Sequence, residues 1–175
     1  MLRIRQNRFH ETEVTIDNAR IIWPNFTGAQ KKFNAKGDRN CCIALSEEDA
    51  ATLRAEGFNI KVKEAKEEGE PPMLYLQLKC KFRNREGNAM ARPSKMYMIV
   101  GKKEPVPLDE ETVGQIDYAE IENVDLKFRS VPYDFNGKQG VTAQIMAMYV
   151  TIVPDYLAQK YSDPSDEEEF PFGEQ

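Results

Sequence analysis

The stretch MLYLQLKCKFR, residues 73–83, alternates apolar and polar side chains along its length. Because successive side chains of a β-strand point to opposite faces, this alternation predicts a strand that is buried on one side only. The apolar face comprises Leu74, Leu76, Leu78, Cys80 and Phe82. The opposite face is polar, with one aromatic and three basic residues: Tyr75, Gln77, Lys79, Lys81 and Arg83. The strand therefore predicts a sheet with a core behind it and a basic surface in front.

Further strands are expected on both sides of this one. They cover residues 14–22, 39–45 and 58–62 before it, and residues 95–101, 121–131 and 141–153 after it. Ser46 is a predicted N-cap for a short helix that Gly57 ends. Asn136-Gly137 predicts a long hairpin between the last two strands. An acidic insert, residues 104–118, separates two of the later strands.

These elements favour a mainly β fold. The class is an OB-like, five-stranded or slightly larger, antiparallel barrel with a short helix and insertions. Residues 1–161 are predicted to form this OB-like domain. Residues 162–175, SDPSDEEEFPFGEQ, carry six acids and no base and are predicted to be a disordered acidic tail.

The composition narrows the class of protein. A chain of 175 residues suits one domain with a real core. No apolar run approaches the roughly 20 residues that span a bilayer, so no membrane association is expected. The N-terminus lacks the apolar block of a secretory signal, and three cysteines form no disulfide framework. A reducing cytoplasm is the expected compartment.

Motifs of catalysis are missing from the sequence. The single histidine, His10, has no cysteine or carboxylate at ligand spacing. The chain has no GxxxxGK[ST], GxGxxG or GxSxG motif. The acids of residues 104–125 are scattered, as in a solvated surface loop. We therefore expect a protein that is not an enzyme, with no catalytic residue, cofactor or metal ion.

Charge is sorted into blocks along the chain. The net charge is −5, but the tail contributes −6, so residues 1–161 carry +1. Residues 74–103 hold eight bases and one acid, whereas residues 104–125 hold eight acids and no base. Basic blocks of this kind indicate a polyanionic partner.

A nucleic-acid site follows from these bases and the aromatic residues among them. Bases on the exposed face of a strand neutralise phosphates, and aromatic rings stack on bases. The predicted phosphate-binding residues are Lys31, Lys32, Arg39, Lys79, Lys81, Arg83, Arg85, Arg92 and Lys95. The predicted stacking residues are Trp23, Phe26, Phe33, Tyr75 and Tyr97. Two alternatives stay open: Trp23 could cap the barrel, and strand lysines could serve only to prevent edge pairing.

The tail combines its acids with two phenylalanines that have no core to join. It is predicted to bind partner proteins, and the residues concerned are Asp166, Glu167, Glu168, Glu169, Phe170, Pro171 and Phe172. DEEEFPF resembles the tail tip of bacterial single-stranded DNA-binding proteins, in which acids precede a proline and a terminal phenylalanine. Here Gly173, Glu174 and Gln175 follow Phe172, so the phenylalanine pair and the acids remain as the matching features.

A second resemblance lies near the N-terminus. ARIIWPNF followed by KFNAKGDRNCCIAL is similar to the opening of phage single-stranded DNA-binding proteins, which have an OB core and an acidic tail. The resemblance implies sequence-tolerant binding of single-stranded DNA in phage replication or recombination. It also implies that replication or recombination proteins bind the tail. A homodimer is kept as an alternative to a monomer.

Three other functions stay open. An OB-fold RNA-binding protein would use the same stacking surfaces. A structural or virion interaction protein would spread its bases evenly over the surface. A metal-dependent nuclease would use the acids of residues 104–125.

Overall fold

The computed structural model describes residues 1–155. The tail predictions lie outside the described residues. Within residues 1–155 the chain forms one α-helix, α1 (Glu47–Ala55), a 3-10 helix (Val113–Tyr118) and ten strands. The strands are β1 (Leu2–Gln6), β2 (Thr12–Ile16), β3 (Arg20–Asn25), β4 (Arg39–Leu45), β5 (Lys61–Lys63), β6 (Met73–Cys80), β7 (Lys95–Val100), β8 (Val106–Leu108), β9 (Ile121–Phe135) and β10 (Lys138–Ile152).

The strands pair in the order β1-β2-β9-β10-β6-β4-β3, with β5 beside β6 and with β7 between β10 and β8. The segment 12–25 connects the two sides of this strand order. It contains β2, which pairs with β9, and β3, which pairs with β4. The Ala19 amide also donates to the Val124 carbonyl at 2.7 Å. The segment thus brings the strands around a single core, as in an OB barrel.

The strand β6 shows why the sequence folds this way. Leu76, Leu78 and Cys80 point inward and are buried, while Tyr75, Gln77 and Lys79 on the other face stay half-exposed. Apolar side chains of the other strands and of α1 meet the inward face and complete a single core. Burial of that shared apolar surface is what holds the strands together.

The helix α1 begins and ends where expected. The Ser46 hydroxyl accepts a hydrogen bond from the Asp49 amide at 3.1 Å, which caps the N-terminus. Gly57, with φ of 96°, takes the left-handed conformation just beyond the helix. Ala50 and Leu53 pack the helix against the barrel.

The predicted mainly β, OB-like fold with one short helix is confirmed. The sheet is larger than five strands and is mixed, because β10 runs parallel to β6 and β7. The predicted first strand is divided into β2 and β3 at Asn18, which has φ of 53°. The strand predicted over residues 58–62 is displaced to β5, and β9 and β10 are longer than expected.

The acidic insert, residues 104–118, is an ordered part of the barrel. Val113 and Ile116 of its 3-10 helix are fully buried. The Asp117 carboxylate accepts hydrogen bonds from the Phe26 amide at 2.8 Å and the Thr27 amide at 2.9 Å. The insert therefore closes one end of the core and fixes the start of the loop that follows β3. Within the described part of the chain, no helix is long and apolar enough to cross a membrane.

Candidate nucleic-acid interface

The outward surface of β4 and β6 is the floor of the candidate site. Tyr75, Gln77 and Lys79 on β6 lie opposite Ala44, Cys42 and Asn40 on β4 in the sheet register. The two strands present these side chains side by side because β4 and β6 pair without a bulge along their length.

A groove of about 650 Å³ lies along this floor, and one of its walls is the loop between β3 and β4. The other wall is the turn after β6 together with Glu110 of the acidic insert. Six bases and two acids line it: Lys36, Arg39, Lys79, Lys81, Arg83, Arg85, Asp38 and Glu110. An excess of cations over a concave surface attracts a chain of phosphates.

Lys79 lies at the centre of the groove floor. Burial lowers its pKa, and neighbouring Lys81 lowers it further, while Asp38 acts in the opposite direction. A phosphate placed beside the two lysines would compensate both effects, because an anion favours the charged form of each amine.

Phe33 lies on the loop between β3 and β4, and its ring points into solvent. The ring is 93% exposed, and the Lys32 amine lies 5.4 Å from its centroid. Lys31 and Asn34 bracket it in a tight turn, with backbone hydrogen bonds of 2.9 and 3.1 Å in both directions. An exposed ring on a short turn is well placed to stack on a nucleobase.

Asn34 holds that turn in position. Its side-chain amide donates to the carbonyl oxygens of Ala29, Ala35 and Asp38 at 3.0–3.1 Å. Its side-chain oxygen accepts from the Asn40 amide group on β4 at 2.7 Å. The loop is thus bound to the groove floor before any ligand arrives, which lowers the entropy cost of binding.

A second aromatic group lies at the other end of the β6 face. The rings of Trp23 and Tyr75 meet edge to face with centroids 5.0 Å apart. The Lys63 amine lies 5.0 Å above the Trp23 ring. Trp23 adopts φ of 49° within a bulge of β3 and is 47% exposed. Nearly half of the Trp23 surface is open to a stacking base, and the barrel-cap alternative stays a prediction.

The hairpin between β9 and β10 forms a third wall. A cavity of about 360 Å³ lies between this hairpin and β6, and Tyr133, Phe135 and Lys61 line it. It shares Gln77 and Lys79 with the larger groove, so the two form one continuous surface. Phe135 is 66% exposed. The Tyr133 ring lies directly over Gly140, where a Cβ would fall 2.5 Å from its hydroxyl oxygen.

The structure brings together most of the residues predicted to bind nucleic acid. Phe33, Arg39, Lys79, Lys81, Arg83 and Arg85 line the groove. Trp23 and Tyr75 lie on the same face, and Lys31 and Lys32 are exposed on the loop that carries Phe33. The clustering of these bases on one side differs from the even spread expected of a structural or virion interaction protein.

Phe26 is a correction. It was expected to be a stacking ring, but it is completely buried in the core. The hydrogen bond from its amide to Asp117 holds it under the acidic insert. A ring in that position cannot meet a nucleobase.

Arg92 is a second correction. Two of its nitrogens donate to the Glu11 carboxylate at 2.7 and 3.2 Å, and its guanidinium lies 4.3 Å from the Phe9 ring centroid. Arg129 also donates to Glu11. These arginines lower the pKa of Glu11 to about 2, with Arg92 the largest influence. Arg92 therefore belongs to an ion-pair cluster outside the groove.

Lys95 and Tyr97 also lie outside the groove. Lys95 is exposed at the start of β7. The Tyr97 ring stacks on Tyr149 of β10, with centroids 4.6 Å apart and planes at 11°. The structure does not bring this pair to the β4–β6 face.

Some residues of the surface were not predicted. Lys36, Lys61, Lys63, Tyr133 and Phe135 were missed. The signal for the last two was present, because two aromatic residues with a period of two lead into the Asn136-Gly137 turn. Aromatic side chains at a hairpin tip have no core to enter, so they can be recognised as exposed.

No group of three or more His, Cys, Asp or Glu side chains among residues 1–155 is arranged to hold a metal ion. Two carboxylates of the acidic insert have structural roles. Asp117 caps the loop after β3, and Asp109 accepts from the Thr112 hydroxyl at 3.0 Å.

Comparison with known proteins gives a family match and a set of similar structures. The profile of the phage ssDNA-binding domain family matches residues 4–170. No curated protein sequence matches the chain.

The similar structures are those of phage proteins. The single-stranded DNA-binding protein from bacteriophage Enc34 has a TM-score of 0.50 at 8% identity, covering 96% of this chain and 99% of that chain. The same protein in complex with ssDNA also has a TM-score of 0.50, at 7% identity, over 88% of this chain and 97% of that chain. The single-stranded DNA-binding protein gp2.5 of bacteriophage T7 has a TM-score of 0.38 at 10% identity, over 91% and 94%. At these identities the similarity to the Enc34 structures supports the assignment of the fold.

Proposed function

Since the chain belongs to the phage ssDNA-binding domain family, we propose that it binds single-stranded DNA, with little regard to sequence, across the outward face of β4 and β6. The bound strand would follow the groove floor, with its phosphates toward the lysines and arginines. Its bases would stack on Phe33 at one side and on the Trp23–Tyr75 pair or the hairpin aromatics at the other. The proposed role is in phage DNA replication or recombination, in the host cytoplasm.

One observation carries this proposal. Exposed aromatic rings surround a basic floor on three sides, and the floor belongs to the strands that OB folds use for oligonucleotides. The walls are the loop between the first two barrel strands and the hairpin between the last two. Positive charge for the backbone and rings for the bases are the two requirements of sequence-tolerant single-strand binding.

The donors in the groove retain unused hydrogen-bonding capacity. Among the described residues, Arg39 donates a single side-chain hydrogen bond, from Nη2 to the Glu110 carbonyl at 3.1 Å. Among residues 1–155, Lys79 and Lys81 form no ion pair. Phosphate oxygens are suitable acceptors for such groups.

We assign the tail, residues 162–175, a role in recruiting replication or recombination proteins through Phe170 and Phe172. We propose a second role for its acids: a tethered polyanion competes with DNA for a basic groove. Truncation after Ser162 should then raise affinity for ssDNA, most visibly at low salt. A fall in affinity after truncation would contradict it.

A direct competition assay tests the proposed function. Labelled dT oligonucleotide would be bound to the full chain and competed with unlabelled ssDNA, RNA and duplex DNA of equal length. We expect ssDNA to compete best, because a duplex cannot expose its bases to the rings. Equal competition by duplex would overturn the proposal, and stronger competition by RNA would favour the RNA-binding alternative.

A further inference from the structure

We propose that Glu110 acts as an internal competitor of DNA phosphate and thereby sets the affinity of the groove. This inference rests on the proposed function and adds a regulatory residue to the same site. Glu110 comes from the acidic insert, yet it lines the groove together with the six bases.

The geometry of the pair is the first argument. Arg83 Nε donates to both carboxylate oxygens of Glu110, at 2.8 and 3.0 Å, and Arg83 Nη1 donates to the Gly87 carbonyl at 3.0 Å. A carboxylate that engages a guanidinium in this way occupies the position that a phosphate would take. Two of the three Arg83 side-chain nitrogens therefore have acceptors within the protein, although the sequence predicted Arg83 to bind phosphate.

The support of Glu110 is the second argument. The turn that carries it is fixed by Asp109, whose carboxylate accepts from the Thr112 amide and hydroxyl, both at 3.0 Å. The Glu110 carbonyl also accepts from Arg39 at 3.1 Å. One residue of the insert thus engages two arginines of the groove, and its backbone is held so that the carboxylate stays there.

Exposure decides whether DNA can replace this contact. The side chains of Arg83 and Glu110 are 53% and 35% exposed, so the ion pair is weak and open to exchange. DNA binding would break the pair, and the cost of breaking it reduces the net affinity. The freed carboxylate would also remain near the phosphates and repel them.

Glu110→Gln tests the inference, and Glu111→Gln is its matched control. Glu111 is the next residue, is exposed, and its carboxylate makes no hydrogen bond or ion pair among residues 1–155. Both variants remove one negative charge from the same turn. Affinity for poly(dT) would be measured at several salt concentrations in the full chain, together with unfolding in urea to show that each variant is folded.

We expect Glu110→Gln to raise affinity at low salt by about two- to fivefold, the range of a surface ion pair. The plot of log K against log salt should steepen by about 0.7, the value for one additional phosphate contact on a single strand. Glu111→Gln should give a smaller gain and no change of slope.

The double variant Arg83→Gln/Glu110→Gln separates a local from a general charge effect. If Glu110 acts mainly through Arg83, the gain from Glu110→Gln should fall, in the Arg83→Gln background, to the smaller gain that Glu111→Gln gives. Equal gains in both backgrounds, equal gains for Glu110→Gln and Glu111→Gln, or a loss of affinity in Glu110→Gln would each overturn the inference. If the unaltered chain does not bind poly(dT) at all, it is the proposed function that fails.

Discussion

Two clusters of arginine and lysine in this molecule look alike in sequence and differ in their partners. In the groove, six bases meet two acids over an open surface. On the other side of the turn after β6, Arg92 and Arg129 share Glu11, while Arg5 and Lys127 share Glu13. Glu11 and Glu13 are largely buried, and each of the four bases in this second cluster has one of them as an ion-pair partner within the fold.

The comparison shows that a base held by a largely buried acid is withheld from a ligand. Arg92 lies in a basic stretch of sequence, yet Glu11 reaches it from 81 positions away. Lys81 lies in the same stretch and keeps its charge free for the groove. We therefore expect the groove bases to bind the ligand and the bases paired with Glu11 and Glu13 to stabilise the fold.

The largest effect is expected from Glu11→Gln, which would remove the two ion pairs that Glu11 forms in the second cluster. The pKa of Glu11 falls from 4.5 to about 2 on folding, which corresponds to about 3 kcal/mol of stability at neutral pH. The variant should lose about 2 to 3 kcal/mol in urea unfolding, because two partly buried arginines lose their shared carboxylate. Its affinity for poly(dT), measured where it is still folded, should not change.

The ion pairs of Glu11 also determine how the stability of the fold changes with pH. The folded-state pKa of Glu11 lies below its unfolded value, so its contribution is complete above pH 4.5 and is lost as the pH falls toward 2. The difference in stability between the unaltered chain and Glu11→Gln should therefore close over that interval. A difference that stays constant from pH 6 to pH 3 would show that Glu11 acts by packing alone.

A second prediction compares two exposed aromatic rings. Phe33→Ala should weaken poly(dT) binding by about 1–3 kcal/mol, the value of one stacked base, with little loss of stability. Phe9→Ala is the control, since Phe9 is 50% exposed but lies between Arg8 and Arg92, beside the second cluster. Equal losses of affinity in both variants would show that the groove is not the site.

The salt dependence of binding should distinguish the clusters more finely. Lys81→Gln should make the slope of log K against log salt less steep by about 0.7, because it removes one phosphate contact. Arg92→Gln should leave the slope unchanged and lower the stability. The opposite pattern would place the DNA backbone on the Glu11 side of the molecule.

The smallest effect is expected from Asn34→Ala. Its side chain ties the Phe33 turn to the groove floor, so the variant should lose less affinity than Phe33→Ala, about 1 kcal/mol or less. The loss should appear with wild-type stability of the barrel, and amide exchange should quicken only in residues 29–38. An unchanged exchange rate there would mean that the turn is held by other contacts.

The parts of the fold that depend on local pattern could be predicted from the sequence. The two faces of β6, the bounds of β4 and the Ser46 cap follow from periodicity and from single residue types. They were predictable because neighbouring residues determine them.

The errors arose where distant residues decide the outcome. Phe26 looked like a loop aromatic, but Asp117 binds its amide from 91 positions away and the insert covers it. Arg83 looked unpaired until Glu110 was placed beside it. The parallel pairing of β10 with β6 and β7 likewise depends on the path of the whole chain.

Titration of Trp23 fluorescence with poly(dT) at several salt concentrations tests the central claim most directly. Trp23 is the single tryptophan and lies on the β4–β6 face beside Tyr75. The account predicts a saturable change in its fluorescence, with log K falling against log salt at a slope of about −3 to −4 for four to six phosphate contacts. An unchanged signal at saturating DNA, or a binding constant that does not vary with salt, would contradict it.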